Sequence, residues 1–356
     1  MSGSTADGHG TSEKRAPRFH PGYTVGVTIV GTGSALPSGI ITNADLEKVM
    51  DTSDEWIVQR TGIKTRHKID RSKGESTYSL GAKALQNALE MAKMQPTELD
   101  LILCATMTPE MGCPPTGCLI ANAVGAIGCA AFDISGACSG YVYALNVAHA
   151  LMQTGQYKSV AVIGSDTITP LMDYSNNGRS TAILFGDGAG AAILRATDDK
   201  GQGILAQTIH ADGRGWKEIY IPHDDGDFPP GVACDPAKIG HVQMNGAGVF
   251  KFAVGTFPGV IQETLDKAGV SAAEVDMYVC HQSNARILSA ARERFGLPED
   301  KLYVNIDKVG NTLAASVPLV LDEVVRNGRI KLGSKQKVLF VAFGGGLTWG
   351  SCLWQL

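Results

Sequence analysis

Short, mostly apolar runs alternate along this chain with longer stretches in which apolar positions return every three to four residues. The runs cover residues 25–30, 99–105, 160–164 and 338–341. A strand without a polar face belongs in a sheet covered on both sides, so these runs predict buried strands with helices above and below. The three-to-four spacing predicts amphipathic helices over 78–94 and 252–268. Residues 142–152 are apolar on nearly every face and predict a buried helix, ended by Gln153-Thr154-Gly155 with Gly155 as a left-handed cap. Shorter helices are predicted over 43–50, 117–124 and 54–60, the last capped by Ser53 with Asp54 and Glu55 in its first turn. A short strand is expected near Ala131 and a polar insertion at 166–179. A further strand is expected over 185–194, where Gly186, Gly188 and Gly190 imply a close backbone neighbour.

The pattern occurs twice. Glu98-Leu99-Asp100-Leu101-Ile102-Leu103-Cys104 matches Glu274-Val275-Asp276-Met277-Tyr278-Val279-Cys280, and each follows an amphipathic helix. The unit of helix, glycine, basic linker and strand at 151–164 recurs at 324–344. Both offsets are close to half the chain, so an internal duplication outranks two unrelated domains. Two such halves packed together predict an α/β chain in five layers, α/β/α/β/α. The boundaries expected are 23–199 for the N-terminal half and 200–356 for the C-terminal half.

Composition narrows the class. The 356 residues are 44% hydrophobic, enough for a large core. A net charge of −4 gives no global basic field for nucleic acid, and no apolar run reaches membrane-spanning length. Residues 1–22 are rich in glycine, serine and charge and lack an apolar stretch; they read as a disordered tail, not a signal peptide. The eight cysteines form no C-x-x-C pair, so neither a zinc ribbon nor a disulfide scaffold is expected. A soluble, cytoplasmic protein with reduced thiols follows. Gly31-Thr32-Gly33 after the first strand lacks the third glycine of a dinucleotide fingerprint and runs into Pro37, which argues against a nicotinamide enzyme.

Chemistry concentrates in a few segments. In Asp133-Ile134-Ser135-Gly136-Ala137-Cys138-Ser139-Gly140-Tyr141 a cysteine stands among small residues where the buried helix begins. The helix dipole there favours the thiolate, although a buried structural cysteine fits the segment alone equally well. The duplicated strand ends differently in its two copies: Cys104 runs into Ala105-Thr106, whereas Cys280 is followed by His281-Gln282-Ser283-Asn284. A polar cluster at that strand end is where α/β sheets place ligands. Gly310-Asn311-Thr312 occupies the second-half position equivalent to the Cys138 segment, so pseudo-twofold symmetry brings Asn311 and His281 towards Cys138. Phe343-Gly344-Gly345-Gly346 offers unobstructed backbone N–H groups of the kind an oxyanion hole needs.

Taken together, these motifs resemble the 3-oxoacyl-[acyl-carrier-protein] synthase III family, from about Val25 to Leu356. Asp51-Thr52-Ser53-Asp54-Glu55-Trp56-Ile57, Arg60-Thr61-Gly62-Ile63 and Phe185-Gly186-Asp187-Gly188-Ala189-Gly190-Ala191 carry the resemblance further. It implies a thiolase-like fold, usually a homodimer, and the initiating condensation of type II fatty acid synthesis. On that likeness an acyl-CoA loads Cys138, and the acyl group condenses with malonyl-acyl carrier protein, with loss of CO2. His281 and Asn311 assist, and the backbone N–H groups of Cys138 and Gly345 form the oxyanion hole. No metal or redox cofactor is implied; CoA enters as a substrate thioester. The intact Cys138, His281 and Asn311 argue against a non-catalytic subunit of the same fold. A related synthase of secondary metabolism remains the alternative.

The resemblance also assigns binding residues. The CoA adenine would stack between Trp56 and Arg179, with Arg60 on the phosphate side. In acetyl-specific relatives a phenylalanine from the partner subunit caps the acyl pocket where this chain has Cys113, so longer or branched primers are expected here. Lys251, Arg286 and Arg294 fall at basic positions that dock the acidic carrier protein, and Glu293 beside Arg294 weakens that patch. Gly248 stands where relatives often carry a glutamate that would complete a capping box with Asn245, so a looser helix start is expected.

Overall fold

Residues 23–356 are described by the computed structural model; the tail assigned to residues 1–22 lies outside them. In the first half the chain forms β1 (Gly26–Ala35), the hairpin strands β2 (Gly39–Thr42) and β3 (Thr65–Lys68), β4 (Leu101–Ala105), β5 (Ala130–Ile134), β6 (Ser159–Asp166) and β7 (Gly188–Thr197). Its helices are α1 (Asn43–Glu47), α2 (Asp54–Thr61), α3 (Thr77–Ala92), α4 (Thr116–Val124), α5 (Gly140–Met152) and α6 (Arg179–Ala182). The remainder supplies β8 (Gly203–Ala211), β9 (Ile219–Tyr220), β10 (Gln243–Met244), β11 (Met277–Cys280), β12 (Lys337–Gly344) and β13 (Thr348–Gln355), with α7 (Gly246–Ala268), α8 (Ala285–Arg294), α9 (Ile306–Val309) and α10 (Ser316–Arg326).

Two sheets carry the duplication. The first has strand order β1-β7-β6-β4-β5 and the second β8-β13-β12-β11, with the same directions in both. The expected repeat is seen in detail. Glu98 and Glu274 each close a capping box one turn before the paired strands β4 and β11. Asp100 and Asp276 then accept the first backbone N–H of β6 and β12: Lys158 and Ser159 at 2.7 and 2.9 Å, and Lys337 at 2.7 Å. The fifth strand has no full copy. Where β5 pairs with β4, the second half keeps one bridge between Tyr278 and Leu302.

The five expected layers are present. Helices α3 and α4 cover the outer face of the first sheet around Leu85, Ile102 and Ile163, and α7 and α8 cover the second around Phe257, Tyr278 and Leu353. Between the sheets, α5 and α10 bury Tyr141, Leu145, Val317 and Leu321 against Leu103, Phe340 and Trp354. The all-round apolarity of 142–152 has this cause: α5 has a sheet on either side. Ser53 caps α2 as expected, its hydroxyl accepting from the Trp56 N–H, and left-handed Gly62 ends it. Among the described residues no helix is long and apolar enough to cross a membrane.

Two expectations need correction. The strand set at 185–194 runs instead over Gly188–Thr197, because Phe185 bridges to Asn311 and the Asp187 carboxylate takes the N–H groups of Ile69 and Thr169. The segment 166–179 is no polar insertion: Asp166, Thr167, Ile168, Thr169 and Met172 are buried beneath the site. Gly31 and Gly33 lie inside β1, where a Cβ would fall 2.3 Å from the Ala88 carbonyl oxygen and 2.2 Å from that of Ala84. They let α3 approach the sheet and hold no nucleotide. Gly33→Leu should therefore destabilise the protein by about 3 kcal/mol through overpacking, read as a lowered urea midpoint.

Candidate active site

Cys138 lies in a single 3-10 turn, Ala137–Ser139, that enters α5. The equivalent turn, Leu313–Ala315, enters α10. Each turn begins on a non-glycine residue with positive φ, 48° at Ala137 and 51° at Leu313, a conformation that tertiary packing has to impose. Gly344, at the end of β12, passes so close to the first turn that a Cβ there would stand 2.6 Å from the Cys138 nitrogen. One cavity is lined by Cys138, His281, Asn311, Gly344 and Gly345. The structure thus brings together the residues expected for catalysis, drawn from α5, the end of β11, the turn before α10 and the β12–β13 hairpin.

Each side chain is oriented by a neighbour. Asn311 Oδ1 accepts the Leu313 N–H at 3.0 Å, which leaves its NH2 group as the donor available to the cavity. Its backbone is pinned on both sides, donating to Leu184 at 2.9 Å and accepting from Gly186 at 3.0 Å. His281 Nδ1 lies 2.6 Å from the Ser316 hydroxyl, and that hydroxyl also accepts the Gln282 N–H at 3.3 Å. With the Ser316 proton directed at Nδ1, the neutral imidazole carries its own proton on Nε2. Ser316 was not singled out in the sequence. Its signal lay in the repeat, where it occupies the place of Gly140 at the start of the paired helix.

Burial sets the charge states. It pushes His281 down to about 3, so the imidazole is neutral. It pushes the Cys138 thiol up to about 12, and the Asp166 charge adds to the effect. Removal of the sulfur from water thus opposes the thiolate expected from the dipole of α5. Asp166, itself raised to about 7 by burial, accepts from the Met107 N–H at 2.7 Å, the Ala314 N–H at 3.0 Å and the hydroxyls of Thr106 and Thr108. By register, Asp166 on β6 is the counterpart of Gly344 on β12, and Ala314 is the counterpart of Cys138.

Cys138 also borders a second, larger and mostly apolar cavity of about 480 Å³ on the side away from His281. Cys113 lines neither cavity of its own protomer and is exposed. A third opening, near 460 Å³, leads outward past Trp56, Arg60, Phe250 and Arg286. Arg179 lies directly over the Trp56 ring, 4.9 Å from its centroid, with Arg60 at 4.7 Å. The slot expected to hold an adenine is therefore closed, with Arg179 Nη1 donating to the Asp51 carbonyl at 2.5 Å. Arg286 lies over Phe250 at this mouth; Lys251 and Arg294 are exposed and line no cavity described here.

The looser helix start expected from Gly248 is also corrected. Asn245 Oδ1 caps α7 through the Gly248 N–H, and Glu218 reaches Asn245 Nδ2 at 2.8 Å from another segment. The Glu218 carboxylate occupies the space that a Gly248 side chain would take, 2.2 Å from such a Cβ. With the thiol pushed up to about 12, iodoacetamide alkylation of Cys138 should rise about tenfold per pH unit from pH 6 to 9. Peptide mass spectrometry checks this; a plateau below pH 8 would show a thiolate instead.

Two family models match the chain, one for 3-oxoacyl-[acyl-carrier-protein] synthase III over residues 132–213 and one for its C-terminal part over 265–356. A beta-ketoacyl-[acyl-carrier-protein] synthase III of Caldanaerobacter subterraneus subsp. tengcongensis is 46% identical over 323 residues, 91% of this chain and 96% of that one. The crystal structure of 3-oxoacyl-[acyl-carrier-protein] synthase III from Aquifex aeolicus superposes with a TM-score of 0.84 at 41% identity, covering 93% of this chain and all of that one. The priming beta-ketosynthase of the R1128 polyketide pathway superposes with the same TM-score at 31% identity, covering 96% of this chain and 99% of that one. The thiolase-like layers, the duplicated sheets and these likenesses agree: the chain belongs to the 3-oxoacyl-[acyl-carrier-protein] synthase III family of condensing acyltransferases.

Proposed function

We propose that this chain starts fatty acid synthesis by a two-stage condensation in which Cys138 carries the acyl group and His281 with Asn311 generates the carbon nucleophile. One observation carries the reading: the three side chains line one cavity, and the latter two are turned so that each presents an N–H. In the first stage the Cys138 sulfur attacks the carbonyl carbon of an acyl-CoA. The negative oxygen of the tetrahedral intermediate is held by the N–H groups of Cys138 and Gly345, one such donor being worth about 10²–10³ in rate. The carbon–sulfur bond to CoA breaks, and the thiol proton of Cys138 leaves with CoA as its free thiol.

In the second stage malonyl-acyl carrier protein replaces CoA. Its carboxylate leaves as CO2, and the bonding pair becomes an enolate on the thioester. His281 Nε2–H and the Asn311 NH2 donate to the enolate oxygen. A neutral pair suits this step, since Asn311 has no proton of useful acidity and His281 is held neutral by burial. The enolate carbon attacks the acyl carbonyl, the carbon–sulfur bond to Cys138 breaks, and the sulfur takes up a proton from water, which replaces the one that left with CoA. The products are 3-oxoacyl-acyl carrier protein and CO2. The proposed reaction draws on no metal or redox cofactor.

The CoA mouth is the Trp56–Arg60–Arg179 cluster, and Arg179 has to swing off Trp56 to admit the adenine. Lys251, Arg286 and Arg294 are the groups we assign to the acidic carrier protein. A homodimer is supported by β5, an edge strand that carries exposed Phe132, and by the exposure of Met111, Cys113 and Cys118. An unpaired apolar edge of that kind pairs readily with a second copy. On structural superposition, the 41% identity to a 3-oxoacyl-[acyl-carrier-protein] synthase III against 31% to the polyketide priming enzyme favours fatty acid synthesis over secondary metabolism.

The half-reactions separate the roles. Cys138→Ala should abolish uptake of labelled acyl groups from acyl-CoA while leaving malonyl decarboxylation measurable. His281→Ala should lower decarboxylation by roughly 10²–10³-fold and acyl uptake by far less. Labelled acyl transfer to the Cys138→Ala protein would show that the nucleophile is wrongly assigned. Arg286→Glu should raise KM for malonyl-acyl carrier protein about tenfold, measured by steady-state kinetics at low salt, and leave Cys138 acylation by acyl-CoA intact.

A further inference from the structure

We infer that the acyl group carried by Cys138 is a fatty acyl chain of at least about eight carbons; this rests on Cys138 being the acyl carrier. The observation is the cavity of about 480 Å³ on the side of Cys138 away from His281 and Asn311. Its walls are apolar. Ile168, Phe185, Val242 and Leu313 are buried there, and Leu171 and Ile221 are half-buried. Of the polar groups that reach it, the Thr348 hydroxyl bonds the Gly136 and Gly345 carbonyls and the Ser135 hydroxyl faces the Met107 sulfur, while Tyr220 and His223 also stand in the wall. No carboxylate, ammonium or guanidinium group lines it.

Direction follows from the reacting atoms. Gly345 borders both cavities, so an acyl carbonyl aimed at the Cys138 and Gly345 N–H groups has its two substituents on opposite sides. The thioester leaving group and the later enolate occupy the His281 side. The alkyl chain is left with the apolar side. A methylene occupies roughly 30 Å³, about the share of a water molecule in the liquid, so even half-filling this space takes about eight carbons. An acetyl group would leave most of the cavity empty. Each added methylene removed from water is worth ~0.8 kcal/mol, or about fourfold in kcat/KM, until the cavity is filled.

The test is competitive acylation of the intact protein by acetyl-, butyryl-, hexanoyl-, octanoyl-, decanoyl- and lauroyl-CoA at equal concentration. Mass spectrometry of the Cys138 peptide reads the result. A parallel arm with octanoyl-acyl carrier protein shows which carrier delivers the chain, and loading from either supports the inference. Octanoyl is expected to exceed acetyl by at least a hundredfold, and decanoyl and lauroyl to load at least as well as octanoyl. Leu171→Trp and Ile221→Trp, two half-buried positions chosen so that one misfolded variant does not end the test, should each shift the octanoyl-to-acetyl ratio at least tenfold towards acetyl. Preferred loading of acetyl, or a ratio unmoved by either folded variant, overturns the chain-length inference and leaves Cys138 as acyl carrier. Failure of every thioester to label Cys138 overturns the acyl-carrier reading itself, and the inference with it.

Discussion

The reactive centre depends on two helices, α5 and α10, held side by side between two sheets. Each is entered through a turn whose first residue has a positive φ that only surrounding packing sustains. That packing is apolar and close: Tyr141, Leu145, Val317 and Leu321 have no exposed surface, and the sheets on either side leave the helices no room to shift. The helix entrances are thereby fixed relative to the strand ends that carry His281 and Gly344. A catalytic geometry assembled from four separate elements holds only if those elements cannot slide, and a core with the density of a crystal meets that need.

Burial that secures the geometry also sets the chemistry. It keeps His281 neutral, which suits a hydrogen-bond donor to an enolate, and it keeps the Cys138 sulfur protonated until substrate arrives. The nucleophile is thus sheltered from adventitious electrophiles in water, at the cost of a proton that has to leave during acylation. Ser316 shows how a small group finishes the arrangement. A single hydroxyl at the start of α10 lies against His281 Nδ1 and, by donating to it, leaves the ring proton on Nε2, from the helix whose entrance bears Asn311.

Much of this was legible in the sequence. The apolar runs, the two matched Glu-x-Asp strand starts and the buried 142–152 helix lead to the layered, duplicated fold, since each rests on local periodicity. Cys138, His281 and Asn311 were legible because the repeat aligns two helix entrances and exposes the strand end that diverged. The parts that escaped are those where distant segments meet. Glu218 filling the space at Gly248, Asp166 turned inward from what looked like a polar insertion, and Arg179 resting on Trp56 are long-range pairings with no periodic trace. The thiol's protonation escaped for a related reason. A helix dipole is read from neighbours in sequence, whereas desolvation is a property of everything packed around the atom.

The pairing of Asp166 with the Ala314 N–H bears on the duplication itself. Under the pseudo-twofold exchange, Asp166 stands for Gly344 and Ala314 for Cys138, so both halves keep a helix-entrance N–H directed at a strand end. In one copy that N–H is already taken by a carboxyl oxygen, supplied by the chain itself and buried. In the other, the strand end has lost its side chain altogether, and a passing substrate's oxygen can take the place. The two copies parted company over a single carboxylate: one half answers its own electrostatic demand and serves as framework, while the other leaves that demand open as the source of its reactivity.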